Sequence, residues 1–171
     1  VREALSQIAE KARKANVVFL LKTRGIYVDT ARLKDILDEF ADDSLGVLWD
    51  MHHPFKDHGE TPDTTIKNLG GYVRLVHIRD YGEDGAYTIM GEGLMPVKDM
   101  MRALWSIDYD GFISLEWKPE WVKDIQDYSF IFPHFINYMS RFERRRDNRS
   151  HLYKNHDATG EYIWPKYELI D

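Results

Sequence analysis

Cysteine is absent from the 171 residues. That excludes a disulfide scaffold and any thiolate metal site, and it suits a reducing, cytoplasmic compartment. Long apolar runs are missing as well. The longest aliphatic stretch, Val17-Val18-Phe19-Leu20-Leu21, is far short of the about 20 residues a membrane-spanning helix needs, so no membrane partner is expected. An excess of positive charge is also lacking. Lys and Arg number 23 against 29 Asp and Glu, a net charge of −6, with a pI near 5.6. A general nucleic-acid binder is basic over its whole domain, so no nucleic-acid partner is expected either. The exception is local, where Arg141, Arg144, Arg145, Arg146 and Arg149 crowd one stretch. Such a cluster can hold phosphates, but it reads better as the cation-rich end of a helix, which the helix dipole favours. No signal peptide opens the chain. It starts on Val1 and enters a helical pattern at once, so we expect sequence upstream of it.

What is present is an ordinary globular composition, 43% apolar and 30% charged. Leu5, Ile8, Ala9, Ala12 and Ala15 fall at helical spacing over residues 2–15. The run from Val17 to Leu21 predicts a strand ending at Lys22 and covered on both faces. Asp29 or Thr30 can cap a helix striped by Leu33, Ile36, Leu37 and Phe40. Leu45 to Trp49 predicts a second strand, ending at Asp50, followed by a polar loop with His52, His53, Pro54 and His58. Thr61-Pro62-Asp63 starts a short helix, and Gly70-Gly71 ends it. Val73 to Ile78 is a third strand with His77 near its end. A glycine-bearing loop from Tyr81 to Gly93 leads to a helix opened by Pro96, with Val97, Met100, Met101, Leu104 and Trp105 on one face. Phe112 to Leu115 is a fourth strand, ending at Glu116. A last helix runs to about Arg146, with Phe132, Phe135, Ile136 and Met139 in register and Pro133 either near its start or kinking it. The order is a helix and then four strand-helix units of about 25 to 40 residues each, the rhythm of a parallel βαβ sheet. A complete eight-fold barrel needs about 250 residues and does not fit this length. Residues 147–171 break the pattern and read as a tail or linker.

In parallel βα folds, ligands bind at the carboxyl ends of the strands. Here the four runs close on or near Lys22, Asp50, His77 and Glu116. Polar strand ends often mark only where a sheet meets water, but four in a row favour a site. Carboxylate, imidazole and carboxylate suit a divalent cation such as Mn²⁺, Mg²⁺, Zn²⁺ or Co²⁺. His53 stands in the loop above Asp50, within reach of a substrate oxygen, and His52 is expected to point elsewhere. Gly91-Glu92-Gly93 could bring backbone N–H groups to an anion, though a simple turn is the stronger reading. His134, His151 and His156 show no ligand spacing.

These residues carry a resemblance. Leu48-Trp49-Asp50-Met51-His52-His53 resembles an Asp-x-x-His strand motif, Val76-His77-Ile78-Arg79-Asp80 a His-x-x-Asp motif, and Gly91-Glu92-Gly93 a Gly-x-Gly loop. Tyr109-Asp110-Gly111-Phe112-Ile113-Ser114-Leu115-Glu116-Trp117 is similar to a closing strand motif that ends in Glu. In this order they resemble the sugar phosphate isomerase/epimerase family of xylose isomerase-like TIM barrels, which also includes endonuclease IV. The resemblance covers about residues 1–140 and implies an α/β fold, the C-terminal half of a (β/α)8 TIM barrel, as a domain over 1–146. It implies a divalent metal on Asp50, His77 and Glu116, with His53 and Arg79 contacting a sugar or polyol substrate. The metal would polarise sugar oxygens while glutamates, Glu116 among them, exchange a proton at carbon.

The sequence departs from the family at Leu20-Leu21-Lys22-Thr23-Arg24-Gly25, where the family reads Leu-Glu-x-His-Gly or similar. Lys22 stands in the first glutamate's place. Its ammonium would repel a divalent ion and neutralise Asp50 and Glu116, giving a metal-free cluster, or it could act as a base if burial lowered its pKa. Two functions therefore stay open. One is a metal-assisted isomerase or epimerase with Glu116 and Lys22 in catalysis. The other is a non-catalytic barrel domain for assembly or ligand sensing, within a larger protein. Endonuclease-like cleavage is disfavoured, since it wants several metal ions and the charge balance opposes DNA. In the tail, Gly160-Glu161-Tyr162-Ile163-Trp164 and Leu169-Ile170-Asp171 resemble the start of an AMP-forming acyl-CoA synthetase domain. Four βα units leave two unpaired sheet edges and an apolar inner face, so a homo-oligomer or a complementary N-terminal barrel half is expected to cover them.

Overall fold

A computed structural model describes residues 2–40, 42–118, 120 and 127–147. Helix α1 (Arg2–Lys14) leads into strand β1 (Phe19–Lys22), a 3-10 turn and helix α2 (Thr30–Phe40). Strand β2 (Leu45–Asp50) is followed by helices α3 (His52–His58) and α4 (Pro62–Leu69), and strand β3 (Val73–Ile78) by a hairpin of β4 (Asp80–Tyr81) and β5 (Tyr87–Thr88). Helix α5 (Val97–Ser106), strand β6 (Ile113–Leu115) and helix α6 (Tyr128–Asp147) complete the order. The chain divides into two compact units, 1–138 and 139–171.

In the first unit β1, β2, β3 and β6 form one parallel sheet in that spatial order. The central strands are the most buried. Leu45, Val47 and Trp49 of β2 and Val73, Val76 and Ile78 of β3 are buried, as strands covered on both faces require. The helices return antiparallel to the strands and bury one stripe each, Leu33, Ile36 and Leu37 on α2 and Val97, Met100, Met101 and Leu104 on α5. Helix α4 packs between them. Each such fully buried side chain contributes about 1.5–3 kcal/mol. Asp29 caps α2, accepting from the N–H groups of Ala31 and Arg32 at 3.1 and 3.2 Å, while Thr61 caps α4 through the Thr64 N–H.

The sequence reading needs four corrections. Strand β1 begins at Phe19 and is not covered on both faces: Val17, Val18 and Phe19 are exposed and only Leu21 is buried, because β1 is an outer strand fed from a loop. The polar stretch after β2 is helix α3, closed by Gly59 in the left-handed conformation at φ 70°. The loop from Tyr81 contains the β4–β5 hairpin. On α6, Ile131 is buried whereas Phe132 and Ile136 are exposed, so the apolar stripe does not form the covered face. Pro133 lies inside this helix. The tail beyond Asp147, with His151, His156 and the ligase-like segments, lies outside the described residues. Among the described residues no helix is long and apolar enough to cross a membrane.

Candidate functional site

All four parallel strands deliver a charged group to one rim. Lys22 is the last residue of β1 and Asp50 the last of β2, Arg79 follows β3, and Glu116 follows β6. The Lys22 Nζ lies 3.0 Å from Asp50 Oδ2 and 3.0 Å from Glu116 Oε1. The Arg79 guanidinium pairs with Glu116 Oε2 through Nη1, which also lies 3.4 Å from Asp50 Oδ2. Its Nη2 reaches His53 Nε2 at 2.8 Å, and His53 Nδ1 lies 2.5 Å from Asp57 Oδ2. The backbone under this cluster is clamped. The buried Thr23 hydroxyl accepts from the Asp50 N–H at 2.9 Å and donates to the Asp50 carbonyl at 3.2 Å. The His52 N–H donates to Asp50 Oδ1 at 3.1 Å.

His77 stands beside Asp50 in the β2–β3 register, and its buried Nδ1 has no hydrogen-bond partner among the described residues. His52 is buried at the side of the cluster, its ring 5.3 Å edge-on from His53 and 5.2 and 5.6 Å from the half-buried Tyr81 and Tyr87. Asp50 is wholly buried. Burial opposes its ionisation, but the charges of Arg79, Lys22 and His53 more than offset this and hold its pKa below the usual carboxylate value. Burial, aided by the neighbouring Lys22, pushes His77 down. Burial, with Arg79 and His53 adding to it, takes His52 down to about 4.

The donor set does not fit a divalent metal as it stands. The ammonium of Lys22 is bonded within 3.0 Å of both carboxylates, and the Arg79 guanidinium touches the same pair. The two cations and two carboxylates balance, leaving no net charge to draw in an ion. Other side chains do group with ligand atoms within 4.8 Å of one another, namely His52, His53 and Asp57, and Asp29, His58 and Glu60.

The glycine loop has a partner of its own. The Asp80 carboxylate, buried, accepts the N–H groups of Gly91 and Gly93 on Oδ2 and of Tyr81 and Met95 on Oδ1, the last three at 3.0, 2.9 and 3.0 Å. These donors are therefore spent on Asp80 rather than offered to an external anion. Sequence reasoning found the strand-end residues but missed the parts of Asp80, Thr23 and Asp57. The signal for Asp80 was present, since it closes the His77 motif and precedes the Gly-x-Gly loop, but the pairing of the two shows only in three dimensions.

Residues 1–130 match the family model of the xylose isomerase-like TIM barrel. The chain belongs to this family. Its α/β architecture with four parallel strands is a partial TIM barrel. Solved structures agree. A D-allulose 3-epimerase from Methylomonas sp. is similar with a TM-score of 0.68 at 18% identity, over 82% of this chain and 54% of that one. An L-ribulose 3-epimerase gives 0.66 at 19%, over 90% and 57%. The probable 3-DHS dehydratase AsbF of Bacillus anthracis gives 0.60 at 19%, over 68% and 48%. At such identities the likeness is one of fold, and the chain spans about half the length of these structures. No curated protein sequence matches the chain, and no comparison supports the ligase-like resemblance of the tail.

Proposed function

We propose that this barrel rim takes an uncharged sugar or polyol and belongs to a site of isomerase or epimerase type. The observation that carries the reading is the meeting of side chains from all four strand ends in one ion cluster. In this reading Glu116, whose side chain is 21% exposed, is the acid/base group that moves a proton at a carbon next to a carbonyl. Removing that proton places negative charge on the carbonyl oxygen. The Lys22 ammonium, 27% exposed, stands beside Glu116 and can stabilise that charge in a site partly screened from water. His53 would meet a sugar hydroxyl by exchanging one of its present partners, Arg79 on Nε2 or Asp57 on Nδ1. Arg79 is 3% exposed, so its part is to orient Glu116 and His53 from beneath rather than to lie along the substrate.

The relatives' printed names support the substrate class, since several are 3-epimerases of ketoses. A second reading, a non-catalytic domain that binds the same ligands, is favoured by the cation pairing of both carboxylates, which weakens them as bases. The two part in one experiment. The chain is incubated with a panel of ketoses and polyols in heavy water, and exchange at carbon is read by NMR beside binding by calorimetry. Exchange that is lost in Glu116→Gln supports the enzyme. Binding without exchange supports the sensor. Neither binding nor exchange overturns both.

A further inference from the structure

Three side chains meet outside the ion cluster. Asp29 stands just before α2, His58 is the last residue of α3, and Glu60 follows two residues later in the turn to α4. One ligand atom of each lies within 4.8 Å of the others. Two metal–ligand bonds of about 2.0–2.2 Å each span up to about 4.4 Å, so a small turn of the exposed His58 side chain brings all three onto one ion. Both carboxylates are half-buried, and each is held through one oxygen. Asp29 Oδ1 accepts the N–H groups of Ala31 and Arg32. Glu60 Oε1 accepts the hydroxyls of Thr30 and Thr65, and Asn68 donates to the Thr30 hydroxyl in turn. Such outer bonds orient a ligand before the ion arrives. Among the described residues Asp29 Oδ2 accepts nothing, and Glu60 Oε2 meets only the Thr30 N–H, at 3.4 Å.

A second, independent observation is the charge. Lys22 and Arg79 neutralise the Asp50 and Glu116 pair. Among the described residues no Lys or Arg forms an ion pair with Asp29 or Glu60, and His58 enters no hydrogen bond or ion pair at all. Two neighbouring carboxylates without a counter-charge repel each other and attract a cation. The grouping of His52, His53 and Asp57 offers less, because His53 commits Nδ1 to Asp57 and Nε2 to Arg79.

We propose that Asp29, His58 and Glu60 bind one zinc-class divalent ion that staples the start of α2 to the turn between α3 and α4. An imidazole with two carboxylates suits a borderline ion such as Zn²⁺ or Co²⁺, whereas Mg²⁺ and Ca²⁺ prefer oxygen ligands alone. Three protein ligands leave a fourth position for water. The site shares no side chain with the proposed sugar site and does not rest on that reading.

The test is calorimetric titration of the full chain, first stripped by a chelator, with Zn²⁺, repeated on His58→Gln, Asp29→Asn and Glu60→Gln. Asn still caps α2, and Gln still offers the threonines an acceptor. Circular dichroism confirms that each variant folds, and the exposed His58→Gln decides the matter if a carboxylate variant does not. The native chain is expected to bind about one equivalent that each substitution weakens about 10-fold or more. Zn²⁺ should raise its melting temperature, and the rise should shrink in every variant. An ion held by other His and carboxylate groups would survive all three substitutions. Absence of binding to the native chain overturns the proposal, as does binding that any folded variant leaves unchanged.

Discussion

The guanidinium of Arg79 meets the imidazole of His53 at 2.8 Å, Nη2 to Nε2. A guanidinium only donates, so His53 accepts on Nε2 and carries its proton on Nδ1, toward Asp57. The same guanidinium faces both buried-rim carboxylates. Replacing it with an apolar side chain leaves Asp50 buried with less compensation. Arg79→Met is expected to cost about 3–5 kcal/mol of stability in urea unfolding. Arg79→Lys is expected to recover little, since an ammonium cannot reach three acceptors in a fork. An unfolding midpoint equal to that of the native chain in Arg79→Met would contradict this.

Stability is expected to fall between pH 6.5 and about 4. His52 titrates near 4 in the fold, pushed down by burial and by Arg79, His53 and Lys56, with Asp50 opposing. Its unfolded value is about 6.5. The folded state therefore binds the proton less readily, so its contribution is complete above 6.5 and is lost as pH falls toward 4. The depressed His77 acts in the same direction. Asp50, lowered from 3.8, gives up its share only under more acid conditions. Urea midpoints at pH 7 and 4.5 should differ less in His52→Phe than in the native chain. An unchanged difference would remove His52 from the account.

Two glycines are expected to behave oppositely. A Cβ on Gly93 would run into the Asp80 carboxylate and the Tyr81 carbonyl, breaking the hub that fixes the loop. A Cβ on Gly71 meets nothing within 4 Å. Gly93→Ala should lower the melting temperature clearly, while Gly71→Ala should leave it unchanged or raise it slightly by restricting the unfolded chain. Equal effects would mean that the loop is not held by Asp80.

Glu60 ties helices α2 and α4 together. Its Oε1 accepts the Thr30 hydroxyl at 2.6 Å and the Thr65 hydroxyl at 2.5 Å, and both threonines are buried. Asn68 donates to the Thr30 hydroxyl at 2.9 Å. Glu60→Ala strands these groups and should cost about 2 kcal/mol, whereas Glu60→Gln keeps an acceptor and should cost less. Chemical denaturation of the two variants side by side checks the order.

The outer strands β1 and β6 each have one unpaired edge among the described strands, and Val17, Val18 and Phe112 near their starts are exposed. Such edges invite pairing. The 171-residue chain is expected to run as a dimer or larger species in light scattering, and a monomer at every concentration would refute this.

The parts of the fold visible in the sequence were those where burial and polarity switch sharply. Strand β2 is an apolar run that stops at Asp50, β3 is mostly apolar apart from Arg74 and His77, and both occupy the centre of the sheet. At β1 the same apolar signal misled, because Val17 and Val18 are apolar without being covered. Helix α3 left no periodic trace. His52-His53-Pro54 has no stripe, and the helix depends on the Asp50 carboxylate at its first N–H and on the left-handed Gly59 at its end. The site was legible as a set of strand ends, and Lys22 stood out by its charge. That Lys22 touches both carboxylates, that the buried Arg79 touches the same pair, and that Asp80 spends the loop's N–H groups depend on side-chain reach and on the return of the chain, which a linear pattern does not encode.

Arg79 and Asp80 are consecutive, yet they serve opposite sides of the rim. One holds the ion cluster, and the other holds four N–H groups along the stretch that leads into α5. The loop consequently has no hinge between these two anchors. A movement that displaces the guanidinium must drag the carboxylate next to it, and with it the start of the helix behind. The contacts of the rim and of the stretch before that helix thus meet at one peptide unit.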